Sequence, residues 1–276
     1  MTLRLGLIGD EIAQSHAPAL HGMAGRRLGV EVRYDRLVPG DLGQGFDTVF
    51  AAARDGGYRG VNITYPYKER VVPNLRLADP VIAAIGAVNT VTFGEDGPWG
   101  HNTDYSGFKA AYRAGMGATL PGRTLLVGAG GVGRAIAFAL VDLGVEAVIL
   151  HDRDLAKAKA LASDITSAFP GFDVQIGLSA ARNVNGLVNC TPVGMGGHPG
   201  NPMPRDVMAS ATWAFDAVYT PQETAFLQVA RAAGLSTLSG WELFFHQGVD
   251  AWSIFSGMPV DEQRLRADLL AQGIPS

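Results

Sequence analysis

The chain has 276 residues, 47% hydrophobic and 17% charged. It therefore has enough apolar material to bury a core and does not have the composition of a disordered chain. A formal net charge of -4, with no block of Lys or Arg, argues against nucleic acid or an anionic membrane surface as partner. There is a single cysteine, Cys190, so no disulfide can form within the chain.

In chain order, Leu3 to Gly9 reads as a buried strand, with acids following at Asp10 and Glu11. That apolar run is too short for a signal peptide, and no stretch reaches the ~18 apolar residues that span a bilayer. A cytoplasmic protein is expected. Pro18 to Leu28 reads as a helix with proline in its first turn. Val30 to Val38 predicts a second strand, Leu42 to Arg54 a helix, and Gly60 to Thr64 a third strand. Pro66 is expected to open a short helix. Pro80 to Ile85 predicts a helix and Ala87 to Phe93 a strand, and Glu95-Asp96-Gly97-Pro98 is a turn signal. Tyr105 to Ala114 predicts a helix that leaves the first half.

The second half restarts at Pro121-Gly122-Arg123. Thr124 to Val127 is an apolar run of the parallel-sheet type, and an amphipathic helix is expected from Val132 to Leu143. Ala147 to Leu150, Gly186 to Cys190 and Trp213 to Val218 predict further strands. Asp154 reads as a helix cap and Thr224 to Ala233 as a helix. The tail from Trp241 to Leu270 is expected to be helical, its aromatics packing on neighbouring elements. Strands alternating with helices predict an α/β chain of two domains. Residues 1–104 with 241–276 would form one α/β domain. Residues 105–240 would form a doubly wound, Rossmann-type nucleotide domain.

The segment Gly128-Ala129-Gly130-Gly131-Val132-Gly133 follows an apolar strand and opens a helix, the context a dinucleotide fingerprint requires. Gly128 allows the tight turn, Gly130 lets backbone approach a pyrophosphate, and Gly133 lets helix pack on strand. The helix N-terminus favours phosphate. Asp152 lies near the offset of about 20 residues expected for the acid that binds ribose hydroxyls. A carboxylate there favours NAD and repels the extra phosphate of NADP. Arg153 could pair with that phosphate, so NADP stays open behind NAD. Asp152 also reads as a helix-capping acid.

Two further segments carry polar chemistry: Asn62-Ile63-Thr64-Tyr65-Pro66-Tyr67-Lys68 and His101-Asn102-Thr103-Asp104. They offer a lysine and an aspartate among neutral hydrogen-bonding residues, a set suited to gripping a polyhydroxylated ligand and moving a proton. Taken singly, Lys68 reads as a solvated surface lysine and Asp104 as a helix cap. The histidines are dispersed, so no metal site is expected.

Taken together, these pieces resemble the shikimate dehydrogenase family, including its quinate/shikimate branch, over nearly the whole chain. Further matching pieces are Ser15-His16-Ala17-Pro18 with His21, Gly86 to Thr90, Gly107-Phe108, Asn189 to Pro192, Asp216 to Tyr219, and Gln247. The resemblance implies that residues 1–104 with 241–276 are a substrate domain, and it implies reversible NAD(P)-linked oxidation of shikimate to 3-dehydroshikimate in a cleft between that domain and the nucleotide domain. It implies Lys68 and Asp104 as the catalytic pair. It gives Ser15 to the substrate carboxylate, and Asn62, Thr64, Asn89 and Gln247 to its hydroxyls, with Tyr219 nearby. Thr191, Val218 and Gly240 would lie near the nicotinamide half. Either Lys68 accepts the proton with Asp104 orienting it, or the two share it as a coupled pair.

One departure concerns the substrate. The family usually carries a second hydroxyl residue two places after the first serine, and here that place is Ala17. The preferred ligand could then be shikimate, quinate or a related cyclohexene acid. A reading of another class is a non-catalytic NAD-binding regulator, disfavoured by the presence of both Lys68 and Asp104. A monomer or homodimer is expected, in aromatic biosynthesis or quinate breakdown.

Overall fold

In the first half the apolar runs at Thr2–Ile8 and Gly60–Ile63 form parallel strands buried along most of their length. The computed structural model describes residues 2–274. β1 (Thr2–Ile8), α1 (Ala17–Arg27), β2 (Glu31–Leu37), α2 (Phe46–Asp55) and β3 (Gly60–Ile63) come first. β4 (Arg76–Leu77), α3 (Pro80–Ile85), β5 (Thr90–Gly94) and β6 (Gly97–His101) complete a six-stranded sheet of order β2-β1-β3-β5-β6-β4. β5 runs antiparallel to both β3 and β6, so this sheet is mixed rather than parallel throughout. The start of β5 therefore lies at the same edge as the ends of β1, β3 and β6.

α2 buries Phe46, Val49, Phe50 and Ala53, a spacing that puts one apolar stripe on the sheet. Its expected start at Leu42 does not hold: Leu42 lies in a turn closed by its N–H on Val38 O at 3.1 Å and is half exposed. Nor does Pro66 open a helix. Turns run through residues 65–71 instead, with Tyr67 N–H on Thr64 O at 2.9 Å.

α4 (Thr103–Met116) leads into the second sheet. There follow β7 (Arg123–Val127), α5 (Gly131–Asp142), β8 (Ala147–His151), α6 (Leu155–Ala168), β9 (Val174–Ile176), β10 (Gly186–Asn189), β11 (Trp213–Asp216), α7 (Ala225–Ala232) and β12 (Ser236–Leu238). All six strands are parallel, in the order β12-β11-β10-β7-β8-β9. That is the order of a dinucleotide-binding doubly wound sheet, with its switch point between β7 and β10. Asp154 caps α6 through Ala156 N–H, and Thr224 caps α7 through Leu227 N–H.

The tail is helical as expected and forms two helices, α8 (Gly240–Ser256) and α9 (Glu262–Ala271). Gly257 at φ +71 ends α8 in the left-handed conformation that glycine adopts without strain, and Pro259 cannot continue it. Trp241, Phe245, Trp252 and Phe255 are almost fully buried, so the tail aromatics are packing residues. Arg27 grips Asp268 bidentately at 2.6 and 2.8 Å, tying α1 to α9.

The chain divides into two compact units. One runs to Thr103 and resumes at Phe245; the other runs from Asp104 to Phe244. The divisions fall in the first turn of α4 and within α8. Among the described residues no helix is long and apolar enough to cross a membrane.

Candidate functional site

In the first unit the polar residues gather at the sheet edge where β3 ends and β5 begins. Asn62 is on β3, paired in register with Thr90. Asn89 stands just before β5, and its carbonyl takes Ile63 N–H at 2.8 Å. The Asn89 side chain then reaches Thr103. Its Oδ1 accepts Thr103 N–H at 2.7 Å, and its Nδ2 donates to Thr103 Oγ1 at 2.9 Å. Thr103 Oγ1 also lies 3.4 Å from Gln247 Oε1. Asn62, Asn89, Thr90 and Thr103 are all buried. They keep their polar groups inside because each finds a partner there.

Lys68 is half-buried, and its backbone carbonyl accepts Val88 N–H at 2.8 Å. Asp104 is the second residue of α4 and is 5% exposed. A carboxylate in a first helical turn is favoured by the free N–H groups and the dipole there. Two consecutive residues, Val88 and Asn89, thus fasten the peptide of Lys68 and the residue preceding Asp104.

Thr64 follows β3 with its N–H on Ile8 O at 2.9 Å. Ser15 precedes α1; its Oγ accepts Ala17 N–H at 3.3 Å, and Arg36 Nη2 donates to its carbonyl at 2.8 Å. Burial, aided by the Arg36 charge, pushes the His16 pKa down.

In the second unit the glycine segment does what its spacing predicts. Gly128 follows β7 at φ +100, and Gly130 is the N-cap of α5, with no side-chain cap on the helix. A Cβ at Gly133 would lie 1.8 Å from Gly128 O, whereas one at Gly130 would meet nothing within 4 Å. The loop is therefore closed on the protein side and open where a pyrophosphate would approach. Gly131 and Val132 form the first turn of α5. These residues fit a dinucleotide.

Asp152 follows β8, and its capping alternative does not hold, since Asp154 caps α6. Its Oδ2 accepts Ala129 N–H at 2.7 Å and its Oδ1 accepts Asp154 N–H at 2.8 Å. Each carboxylate oxygen can accept a second hydrogen bond, so ribose hydroxyls can still be met. Arg153 is exposed.

Across the switch point, Asn189 ends β10. Its Oδ1 takes Thr191 N–H at 2.9 Å and Thr191 Oγ1 at 2.7 Å. Its Nδ2 donates to Asp216 Oδ1 at 2.8 Å. Asp216 also receives Val218 N–H at 3.0 Å and the Thr224 hydroxyl at 2.6 Å. Burial pushes its pKa up to about 6, opposed by these hydrogen bonds. A Cβ at Gly240 would sit 2.6 Å from Ala217 O and Val218 O, so backbone packs on backbone there. The Tyr219 ring stacks on Phe244 at 5.1 Å.

Sequence reasoning missed Tyr34, whose hydroxyl donates to Asn62 Oδ1 at 2.8 Å, and the buried Asp216–Thr224 pair. Tyr34 was visible only as one member of an alternating strand.

The family model described as shikimate dehydrogenase substrate binding domain matches residues 7–91. A quinate/shikimate dehydrogenase (NAD+) from Corynebacterium efficiens is 41% identical, over 98% of this chain and 98% of its own. A shikimate dehydrogenase (NADP+) from Pseudarthrobacter chlorophenolicus is 37% identical, over 96% and 94%. Among solved structures, quinate dehydrogenase from Corynebacterium glutamicum in complex with NAD has a TM-score of 0.88 at 38% identity, covering 98% of this chain and 99% of that one. Shikimate 5-dehydrogenase from Thermus thermophilus in complex with NADP(H) and shikimate has a TM-score of 0.84 at 34% identity, covering 98% and 99%. The chain belongs to the shikimate dehydrogenase family.

Proposed function

We propose that this chain oxidises a ring alcohol of a shikimate- or quinate-type cyclic acid reversibly, with NAD preferred over NADP. The reading rests above all on one observation. Val88 and Asn89 hold Lys68 and the start of α4 by hydrogen bonds of 2.8 and 2.7 Å, which gives both proton-handling residues fixed backbones. When bound, the nicotinamide supplies the hydride acceptor. Gly128, Gly130, Gly131, Val132 and Gly133 would hold its pyrophosphate, Asp152 its ribose, and Thr191, Val218 and Gly240 its nicotinamide half. Arg153 would flank the ribose.

Lys68 takes the hydroxyl proton during oxidation and returns it during reduction, and Asp104 orients the amine. Ser15 holds the substrate carboxylate. Thr64, Asn89 and Gln247 meet ring hydroxyls, with Tyr219 nearby. Asn89 Nδ2 has one hydrogen committed to Thr103 and a second with which to donate. The enzyme would work in the cytoplasm as a monomer or homodimer.

NAD preference is supported by Asp152 and by likeness to the NAD+-named relative from C. efficiens. A panel of shikimate, quinate and an amino-substituted analogue against NAD and NADP, followed by nicotinamide absorbance, tests the reading. Reduction of NAD by shikimate or quinate is expected. Tight NAD binding without turnover of any cyclic acid would favour a regulator instead.

A further inference from the structure

The Asn62 amide has both of its donor positions committed within the first unit. Its Oδ1 accepts from the Tyr34 hydroxyl at 2.8 Å. Its Nδ2 donates to Thr90 Oγ1 at 3.0 Å and to Asn89 O at 3.3 Å. A carboxamide offers two acceptor and two donor positions, and both donors and one acceptor are taken by described residues of the first unit.

From Thr90 the connections continue. Its Oγ1 lies 3.2 Å from Asn89 Oδ1 and 3.2 Å from Thr103 Oγ1. Asn89 then holds Thr103 at two points, backbone N–H and hydroxyl. Relative exposure of Asn62, Asn89, Thr90 and Thr103 is 7%, 3%, 0% and 1%, so water is poorly placed to replace a lost partner.

The sheet register explains why Tyr34 begins this series. β2 and β3 flank β1, with Leu5 opposite Tyr34 and Leu7 opposite Asn62. Leu5 and Leu7 share a face because strand side chains alternate, so Tyr34 and Asn62 share it too. The Tyr34 ring is fixed by stacking on His21 at 5.1 Å and 12°. His21 in turn packs on Trp252 and Phe255, at 6.4 and 5.7 Å. The hydroxyl is thus presented to Asn62 Oδ1 by a rigid ring, and it decides which end of the amide faces Thr90.

We infer that Tyr34 is a positioning residue: it clamps Asn62 so that the Asn62–Thr90–Asn89 relay holds Thr103 and the first turn of α4, and Asn62 commits both of its N–H groups to that relay. The catalytic meaning of the relay rests on the function proposed for Asp104; the relay itself does not.

The test uses Tyr34→Phe, which keeps the ring and deletes the hydroxyl, and Thr90→Val, with Thr90→Ser as the rescue. Amide hydrogen exchange at Thr103, kcat and KM are measured in the full chain. In Tyr34→Phe and Thr90→Val, Thr103 exchange should quicken by about fivefold or more, while kcat falls about tenfold and KM stays within about twofold. Thr90→Ser should restore both readouts. Unchanged Thr103 exchange in both variants overturns the proposal. So does a raised KM at normal kcat, which would return Asn62 to substrate binding. If wild-type protein oxidises no cyclic acid, the proposed activity fails, and exchange at Thr103 still decides whether the relay exists. If Tyr34→Phe does not fold, the two Thr90 variants carry the same decision.

Discussion

Gly133 and Gly128 are in such close contact that a single added carbon separates a working loop from a broken one: a Cβ on Gly133 would stand 1.8 Å from the Gly128 carbonyl oxygen. At Gly130, three residues earlier, an added Cβ would meet nothing within 4 Å. The two glycines should therefore respond differently to alanine. Gly133→Ala should lower both thermal stability and NAD affinity, with a stability loss of about 1–3 kcal/mol from overpacking. Gly130→Ala should leave the melting temperature unchanged and weaken NAD alone. Melting curves with and without NAD separate the cases; equal loss of stability in both variants would contradict the distinction.

Asp152 joins the glycine loop to the end of β8 through Ala129 N–H at 2.7 Å. Asp152→Ser removes the carboxylate that would meet the ribose and also the charge that would repel a 2′-phosphate. Losing charged hydrogen bonds of about 1.5–3 kcal/mol predicts a fall in the NAD-over-NADP ratio of kcat/KM of about 10- to 100-fold. An unchanged ratio would take cofactor choice away from Asp152.

Stability should depend on pH through Asp216. Burial pushes its pKa from 3.8 up to about 6, so between those values the native protein holds a proton that the unfolded chain has released. Its contribution is complete below the unfolded value and is lost as pH rises through the folded one. His21 has the opposite sign: burial, opposed weakly by the neighbouring Asn62 amide, pushes its pKa from 6.5 down to about 3, so stability rises with pH across that range. Asp216→Asn should make the slope of unfolding free energy between about pH 4 and 6 more positive, by up to about 1.4 kcal/mol per pH unit. Urea unfolding across that range measures it, and an unaltered slope would contradict the assignment.

Gly60 offers a check on packing in the first unit. A Cβ there would lie 2.4 Å from Val91 O and 2.6 Å from the Phe255 ring. Backbone cannot yield cheaply, so Gly60→Ala should destabilise by at least about 1–3 kcal/mol in urea unfolding. A variant as stable as wild type would mean that β3 and α8 can part without cost.

The second sheet was the most legible part of the sequence. Thr124 to Val127 is an unbroken apolar run, and glycines at fixed intervals follow it, so strand, loop and helix are specified within about 20 local residues. Of the strands that escaped notice, β6 starts inside the Glu95–Pro98 turn signal, and β4, β9 and β12 are two or three residues long. They owe their form to a neighbour's edge rather than to their own pattern. The expected helix at Pro66 failed because a proline-led segment reads alike as a helix start and as a turn. Tyr34 was illegible for a different reason. Its partner Asn62 is 28 positions away, and only the register of β2 and β3 on β1 brings hydroxyl to amide. The same long-range dependence hid the Asp216–Thr224 bond, whereas Lys68 and Asp104 stood out through their local motifs.

The central claim is that Lys68 carries the proton in oxidation of a ring alcohol. Its most direct test is the turnover of Lys68→Ala with NAD and shikimate or quinate, measured beside the dissociation constant of the same acid. The account predicts a fall in kcat of about 100- to 10,000-fold with substrate affinity little changed. Near-normal turnover in the variant would contradict it and remove Lys68 from the reaction.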